Sequence, residues 1–191
     1  YKEAAKILKE SGADLLVLEM LLDVDHSKIL LNAALETGLP VWVGLSCCDS
    51  KFDNSVIGRN FRAEKEKSLI YDENKYKDQP KYLPEDKIIL LEDIIKSLTS
   101  LGGDVYGIMH TWFQDSIGGL KILKNNWKGP IMFYPEIHKF DTNTHKAIIT
   151  MTEEEFSNSL LELIDDQILI VGGCCGVNDK HLKRLIQSMS D

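Results

Sequence analysis

The chain has 191 residues, 43% apolar and 27% charged, with 22 Lys+Arg against 30 Asp+Glu. That mixture belongs to a globular domain able to bury roughly 70% of its unfolded surface, and it excludes a disordered or fibrous chain. A formal charge of -8, with no Lys/Arg-rich stripe, argues against nucleic acid or an anionic membrane surface as partner.

No apolar run approaches the ~18 residues of a membrane helix, so membrane insertion is not expected. The leading segment YKEAAKILKE is charged and periodic, unlike a signal peptide. A start at Tyr1 rather than Met leads us to expect a piece of a longer gene product. The four cysteines form two adjacent pairs, Cys47-Cys48 and Cys174-Cys175. Neighbouring cysteines are poor material for a disulfide framework, which predicts the cytoplasm or another reducing intracellular compartment.

In chain order, residues 1–11 place Ala4, Ala5, Ile7 and Leu8 on one side of a helix that Gly12 stops. Leu15 to Met20 is a short apolar run with the character of a strand buried on both faces. Asp25 is placed to cap a helix over 25–37, which Gly38 and Pro40 end. Val41 to Ser46 reads as a second buried strand. The rhythm then repeats: helix 86–101, strand Val105–His110, helix 116–126, strand Ile131–Pro135, helix 153–164, strand Ile168–Val171, helix 178–189. Glu153 to Glu155 suit the first turn of their helix, where negative charge is favoured.

Such alternation predicts a parallel α/β sheet with right-handed crossovers. No phosphate-binding glycine loop follows the first strand, so an arc of a (β/α)8 barrel is preferred to a doubly wound sheet. Polar or sulfur residues stand at the C-terminal ends of all five strands: Glu19; Ser46 with Cys47 and Cys48; His110; Glu136 with His138; Cys174 with Cys175. In a barrel this is the face that carries chemistry. Five units cannot close a barrel, and an open half exposes edge strands and an apolar interior. Two stretches break the rhythm. Residues 49–85 are polar, with a mixed charge run from Arg59 to Lys67, and are far longer than an ordinary loop of ~2–6 residues. They are expected to form a lid or mobile insertion with little regular structure. Residues 136–151 form a shorter excursion.

The segment Ile170-Val-Gly-Gly-Cys-Cys-Gly-Val177 is the most informative. Side chains of successive strand residues point to opposite faces, but glycines on both sides of Cys174-Cys175 let the chain turn and bring both sulfurs to one point. A catalytic zinc site needs three protein ligands and an open position, and His110 is the natural third, giving a soft N/S2 set. The alternative is that both cysteines are small buried side chains and His110 a satisfied core residue. A Cys47 or Cys48 nucleophile with His110 or His138 lacks an oxyanion motif and a third orienting residue. Trp42 and Trp127 read as packing residues, whereas Trp112, just beyond the His110 strand, could turn its ring to the pocket. His26 and His145 read as surface residues.

GGCCG (Gly172–Gly176), with His181 five residues on, resembles the zinc-dependent homocysteine S-methyltransferases, a (β/α)8 family whose betaine-, S-methylmethionine- and folate-linked members share this motif. Gly107-Ile-Met-His110 is similar to that family's G-x-N-C at the end of strand six. Glu19 matches a strand-four glutamate, and Tyr134-Pro135-Glu136 the strand-seven Tyr-Pro-Asn. Two positions depart: His110 stands where the family has its first zinc cysteine, and Glu136 where it has Asn. The resemblance covers essentially all 191 residues and implies a C-terminal portion of the barrel, helix three through strand and helix eight, interrupted by the 49–85 insertion. It implies Zn2+ on His110, Cys174 and Cys175, and Glu19, Trp112 and Glu136 against substrate. The implied reaction moves a methyl group from a small donor to homocysteine, giving methionine. The missing barrel half would come from the same gene product or a partner chain. The alternative function is a non-catalytic structural subunit of a larger assembly. If His110 binds metal, its other ring nitrogen is expected to have a carbonyl or carboxylate partner.

Overall fold

A computed structural model describes residues 1–60, 63, 64, 88–141, 144 and 146–190. Helix α1 spans Lys2–Glu10, strand β1 Leu16–Leu21, α2 Val24–Leu35 and β2 Val41–Leu45. A short hairpin follows, β3 Cys47–Asp49 with β4 Val56–Gly58, and then α3 Leu91–Thr99, β5 Val105–Trp112, α4 Phe113–Asn126 and β6 Ile131–Glu136. A second hairpin, β7 His138–Asp141 with β8 Lys146–Ile149, leads to α5 Glu153–Leu161, β9 Ile168–Val171 and α6 Asp179–Ser190.

The main sheet has five strands in the order β1-β2-β5-β6-β9, every neighbouring pair parallel. Because that order follows the chain without reversal, right-handed crossovers place every connecting helix on the same face. The helices pack side by side accordingly, α1 on α2, α2 on α3, α3 on α4 and α5 on α6. This is the partial barrel expected from the alternation, and among the described residues helices do not cover both faces. Val41, Val43 and Leu45 of β2 and Ile94, Ile95 and Leu98 of α3 are all buried in the core between sheet and helices. β1 and β9 are the two edges of this sheet. No helix among the described residues is long and apolar enough to cross a membrane.

The structure corrects some boundaries. Asp23, not Asp25, caps α2: its extended backbone lets the carboxylate accept from His26 N at 2.8 Å. α5 carries a capping box between Thr152 and Glu155, whose carboxyl is lowered by the bonds it accepts from Thr152. The 49–85 segment does not begin as an irregular loop. Cys48 pairs with Ile57 across the β3–β4 hairpin, and with Ala63 these residues form a small buried cluster. Burying that apolar edge gives the first part of the insertion its own structure. The rest of the insertion, with Tyr71 and Tyr76, and also His145, lies outside the described residues. The 136–151 excursion is the antiparallel β7–β8 hairpin.

The β5–β6 pair sits at the centre of the arc and tolerates no side chain at Gly107. A Cβ there would lie 2.2 Å from both Cγ and the carbonyl oxygen of Met132. The backbone oxygen belongs to the partner strand and cannot yield cheaply. Gly107→Ala is therefore expected to cost about 1–3 kcal/mol by overpacking, read as a lowered urea midpoint.

Candidate metal centre

His110 owes its direction to an irregularity in β5. Met109 pairs with Tyr134 and Trp112 with Glu136, so two residues, His110 and Thr111, face one, Pro135. Proline has no N–H to donate to the ladder, which favours a bulge opposite it. Bulges re-aim side chains at strand ends, and His110 adopts a left-handed φ of 45°. Its carbonyl accepts from Ser46 Oγ at 2.6 Å and from Arg59 Nη1. β1 has a similar register shift between Leu18 and Leu21, so Glu19 also lies in an irregular strand end.

The cysteine pair is held by main-chain bonds to the end of β6. Cys174 N donates to Pro135 O at 3.0 Å, and Ile137 N donates to Cys175 O at 2.9 Å. Val177 N closes the turn on Cys174 O at 3.1 Å. Gly176 has a φ of 90°, a conformation that L side chains rarely adopt, and a Cβ there would meet His138 Cβ at 2.9 Å. The glycine and the backbone bonds shape the turn.

These two devices bring three donors together. Cys174 Sγ and Cys175 Sγ each lie 3.6 Å from His110 Nδ1, and 3.8 Å from one another. Tetrahedral ligation with Zn–S of ~2.3 Å and Zn–N of ~2.0–2.1 Å separates two sulfurs by about 3.8 Å, and sulfur from nitrogen by about 3.6 Å. The observed triangle fits zinc on all three sides. All three residues are half-buried. Burial lowers the His110 pKa, with Glu136 pulling the other way, and pushes the Cys174 thiol up to about 11.

Two residues complete the surroundings. Glu136 is buried and sets Oε2 3.2 Å from His110 Nδ1 and Oε1 2.8 Å from Arg59 Nη1. The carboxylate expected to orient His110 is present, but it faces Nδ1, the nitrogen turned to the sulfurs, and not Nε2. The reason is topological: β6 and the turn after β9 both approach β5 from the same side. Arg59 is buried, and its Nη2 lies 3.8 Å from Glu64. Sequence reasoning missed it, because within a mixed charge run nothing distinguishes a buried arginine from its solvated neighbours.

The remaining candidates separate clearly. Glu19 is exposed and faces the phenol of Tyr134, whose pKa is raised by burial and then by that carboxylate. Trp112 is buried, with Lys139 Nζ 4.3 Å from its ring centroid. Glu136, His138 and Cys175 form a second set of donors within 4.8 Å of one another. His181 is buried away from the sulfurs, bonded to Asn178 Oδ1 at 2.9 Å and packed edge-on to Phe156. Trp127 packs on Tyr106 and donates Nε1 to Pro130 O, and His26 is a surface residue paired with Asp23. Cys47 and Cys48 are buried thiols, the latter pushed up to about 12 by burial, which leaves them as packing groups and not nucleophiles.

The arc of parallel βα units defines a partial (β/α)8 barrel, with a histidine and a cysteine pair converging at its C-terminal rim. The sequence profile of the homocysteine S-methyltransferases matches residues 1–68 and 90–189, and the chain belongs to that family. Among solved structures, the metallated form of homocysteine methyltransferase MmuM from Escherichia coli is similar, with a TM-score of 0.61 at 15% identity over 98% of this chain and 52% of that one. The apo form of the same protein has a TM-score of 0.59 at 16% identity, over 97% and 57%. Dihydrodipicolinate synthase DapA-2 from Bacillus anthracis has a TM-score of 0.55 at 12% identity, over 97% and 52%. These likenesses concern the fold, and the chain spans about half the length of each. A search of curated proteins finds no sequence match.

Proposed function

We propose that this chain is the C-terminal portion of a zinc-dependent homocysteine-binding barrel, with a polar insertion at about 49–85, and that the whole protein transfers a methyl group to homocysteine to give methionine. The single observation that carries the reading is the His110–Cys174–Cys175 triangle with zinc-compatible sides. Zinc on these residues would hold the homocysteine thiol as a thiolate at neutral pH, ready to attack the methyl donor. Cys174 and Cys175 would give up their protons to bind, and His110 Nδ1 would give its lone pair to the metal beside the Glu136 carboxylate, 3.2 Å away. Relative to three thiolates, a neutral imidazole makes the centre one unit less negative, so it would donate less charge to the substrate sulfur.

Glu19 is assigned to the amino acid's ammonium group and Glu136 to the substrate-facing wall. Trp112 is assigned to a methylated cation; the Lys139 ammonium over its ring supports the idea that this face attracts positive charge. The remaining barrel strands are assigned to the same gene product or a partner chain. Four free cysteines suit a reducing intracellular compartment such as the cytoplasm.

Metal analysis of the full-length protein under reducing conditions tests the reading. One zinc per chain is expected, with Cys174→Ala losing it. A full-length protein that holds no zinc would leave the alternative of a structural subunit.

A further inference from the structure

Arg59 leaves the β3–β4 hairpin and reaches across to the rim of the sheet. Its Nη1 donates to the His110 carbonyl and pairs with Glu136, so one guanidinium touches both β5 and β6 where they carry the candidate centre. His110 needs such support. A non-glycine residue in the left-handed region is strained and persists only where its surroundings hold it there. Among the described residues, Ser46 Oγ and Arg59 Nη1 tie down the His110 carbonyl. Ser46 follows β2 and Arg59 follows β4, so the bulge is braced from outside its own strand.

Charge points the same way. Two thiolates and the Glu136 carboxylate would place three negative charges around one divalent ion, and the arginine supplies the third positive charge. A guanidinium, permanently charged and presenting a planar fork of donors, suits a buried position where one side chain must meet a carbonyl and a carboxylate together.

We propose that Arg59 is the positioning residue of the metal centre: by bracing the left-handed His110 peptide, it aims the imidazole at Cys174 and Cys175, and so ties metal binding to the folded hairpin. The proposal rests on the reading of His110, Cys174 and Cys175 as metal ligands. Arg59 itself donates nothing to the metal and forms no bond with substrate.

Arg59→Lys in the full-length protein is the first test, since it keeps a positive charge beside Glu136 but is shorter and lacks the fork. Zinc affinity, measured by chelator competition, is expected to fall about ten- to a hundredfold, the range typical of lost outer-shell partners. The cobalt-loaded variant should show altered ligand-field bands, a change that a purely structural role would not produce. Because Ser46 and Arg59 share one acceptor, Ser46→Ala combined with Arg59→Lys should lose more affinity than the product of the single losses. The melting temperature of each metal-free variant checks that the fold is kept. If Arg59→Lys folds poorly, Ser46→Ala alone carries the test, with the same direction in affinity and cobalt spectrum. Wild-type zinc binding that Arg59→Lys leaves within twofold, with an unchanged cobalt spectrum, overturns the proposal and spares the metal site. A wild-type protein without zinc affinity overturns both.

Discussion

The apparent zinc affinity of the protein is expected to rise about ten- to a hundredfold for each pH unit through the neutral range. Thiols bind the metal as thiolates, so each protonated thiol contributes a tenfold factor per unit. Burial keeps the Cys174 thiol protonated up to about 11, so its proton must be displaced across the whole physiological range. His110, held below its usual value of 6.5, adds a further proton only on the acid side. The sign is fixed: higher pH leaves fewer protons to displace and tightens the metal. The metal-free protein behaves oppositely, because a thiol raised in the folded state stabilises the fold below its unfolded value near 9.0 and loses that contribution as pH passes about 11. Chelator competition at several pH values, with proton release followed in weak buffer, measures the first effect. A flat affinity profile would contradict thiolate ligation.

Phe156→Ala is expected to lower stability by about 3–5 kcal/mol, read from a urea unfolding curve. Phe156 is fully buried in α5, edge-on to Phe113 at 6.2 Å and to His181 at 5.7 Å. Phe113 in turn meets Phe133 of β6 at 6.3 Å, so one aromatic chain links the last helical pair to the strand that carries Glu136. Truncation at Phe156 opens a cavity among rigid rings that cannot collapse to fill it. The variant should keep zinc binding when folded, because Phe156 lies in the helical layer and makes no contact with the sulfurs.

The cysteine pair shows how far residue order reaches. Its glycines announced a turn able to converge both sulfurs, and the strand-end position of His110 offered the third donor, all within local spacing. The same holds for the βα rhythm, since hydrophobic period and chain punctuation are local properties. Asp23 and the β3–β4 hairpin show the opposite case. A cap depends on which of two neighbouring aspartates has an extended backbone, and a hairpin inside a polar stretch depends on a buried partner such as Cys48. Neither is encoded by composition.

The sequence by itself determined the parallel α/β architecture, the family resemblance and the sulfur–imidazole donor types. Only the tertiary structure decided that His110 reaches the sulfurs through a bulge opposite Pro135, that Glu136 shares the same ring nitrogen, and that Arg59 braces the whole arrangement. The physical reason is range. Periodicity and turn chemistry act over a few residues, whereas Arg59 and His110 are 51 positions apart, and Cys174 lies another 64 beyond. Contacts at that separation are settled by which strands lie side by side in the sheet, and a buried arginine in a charged run looks no different from a solvated one until the fold closes over it.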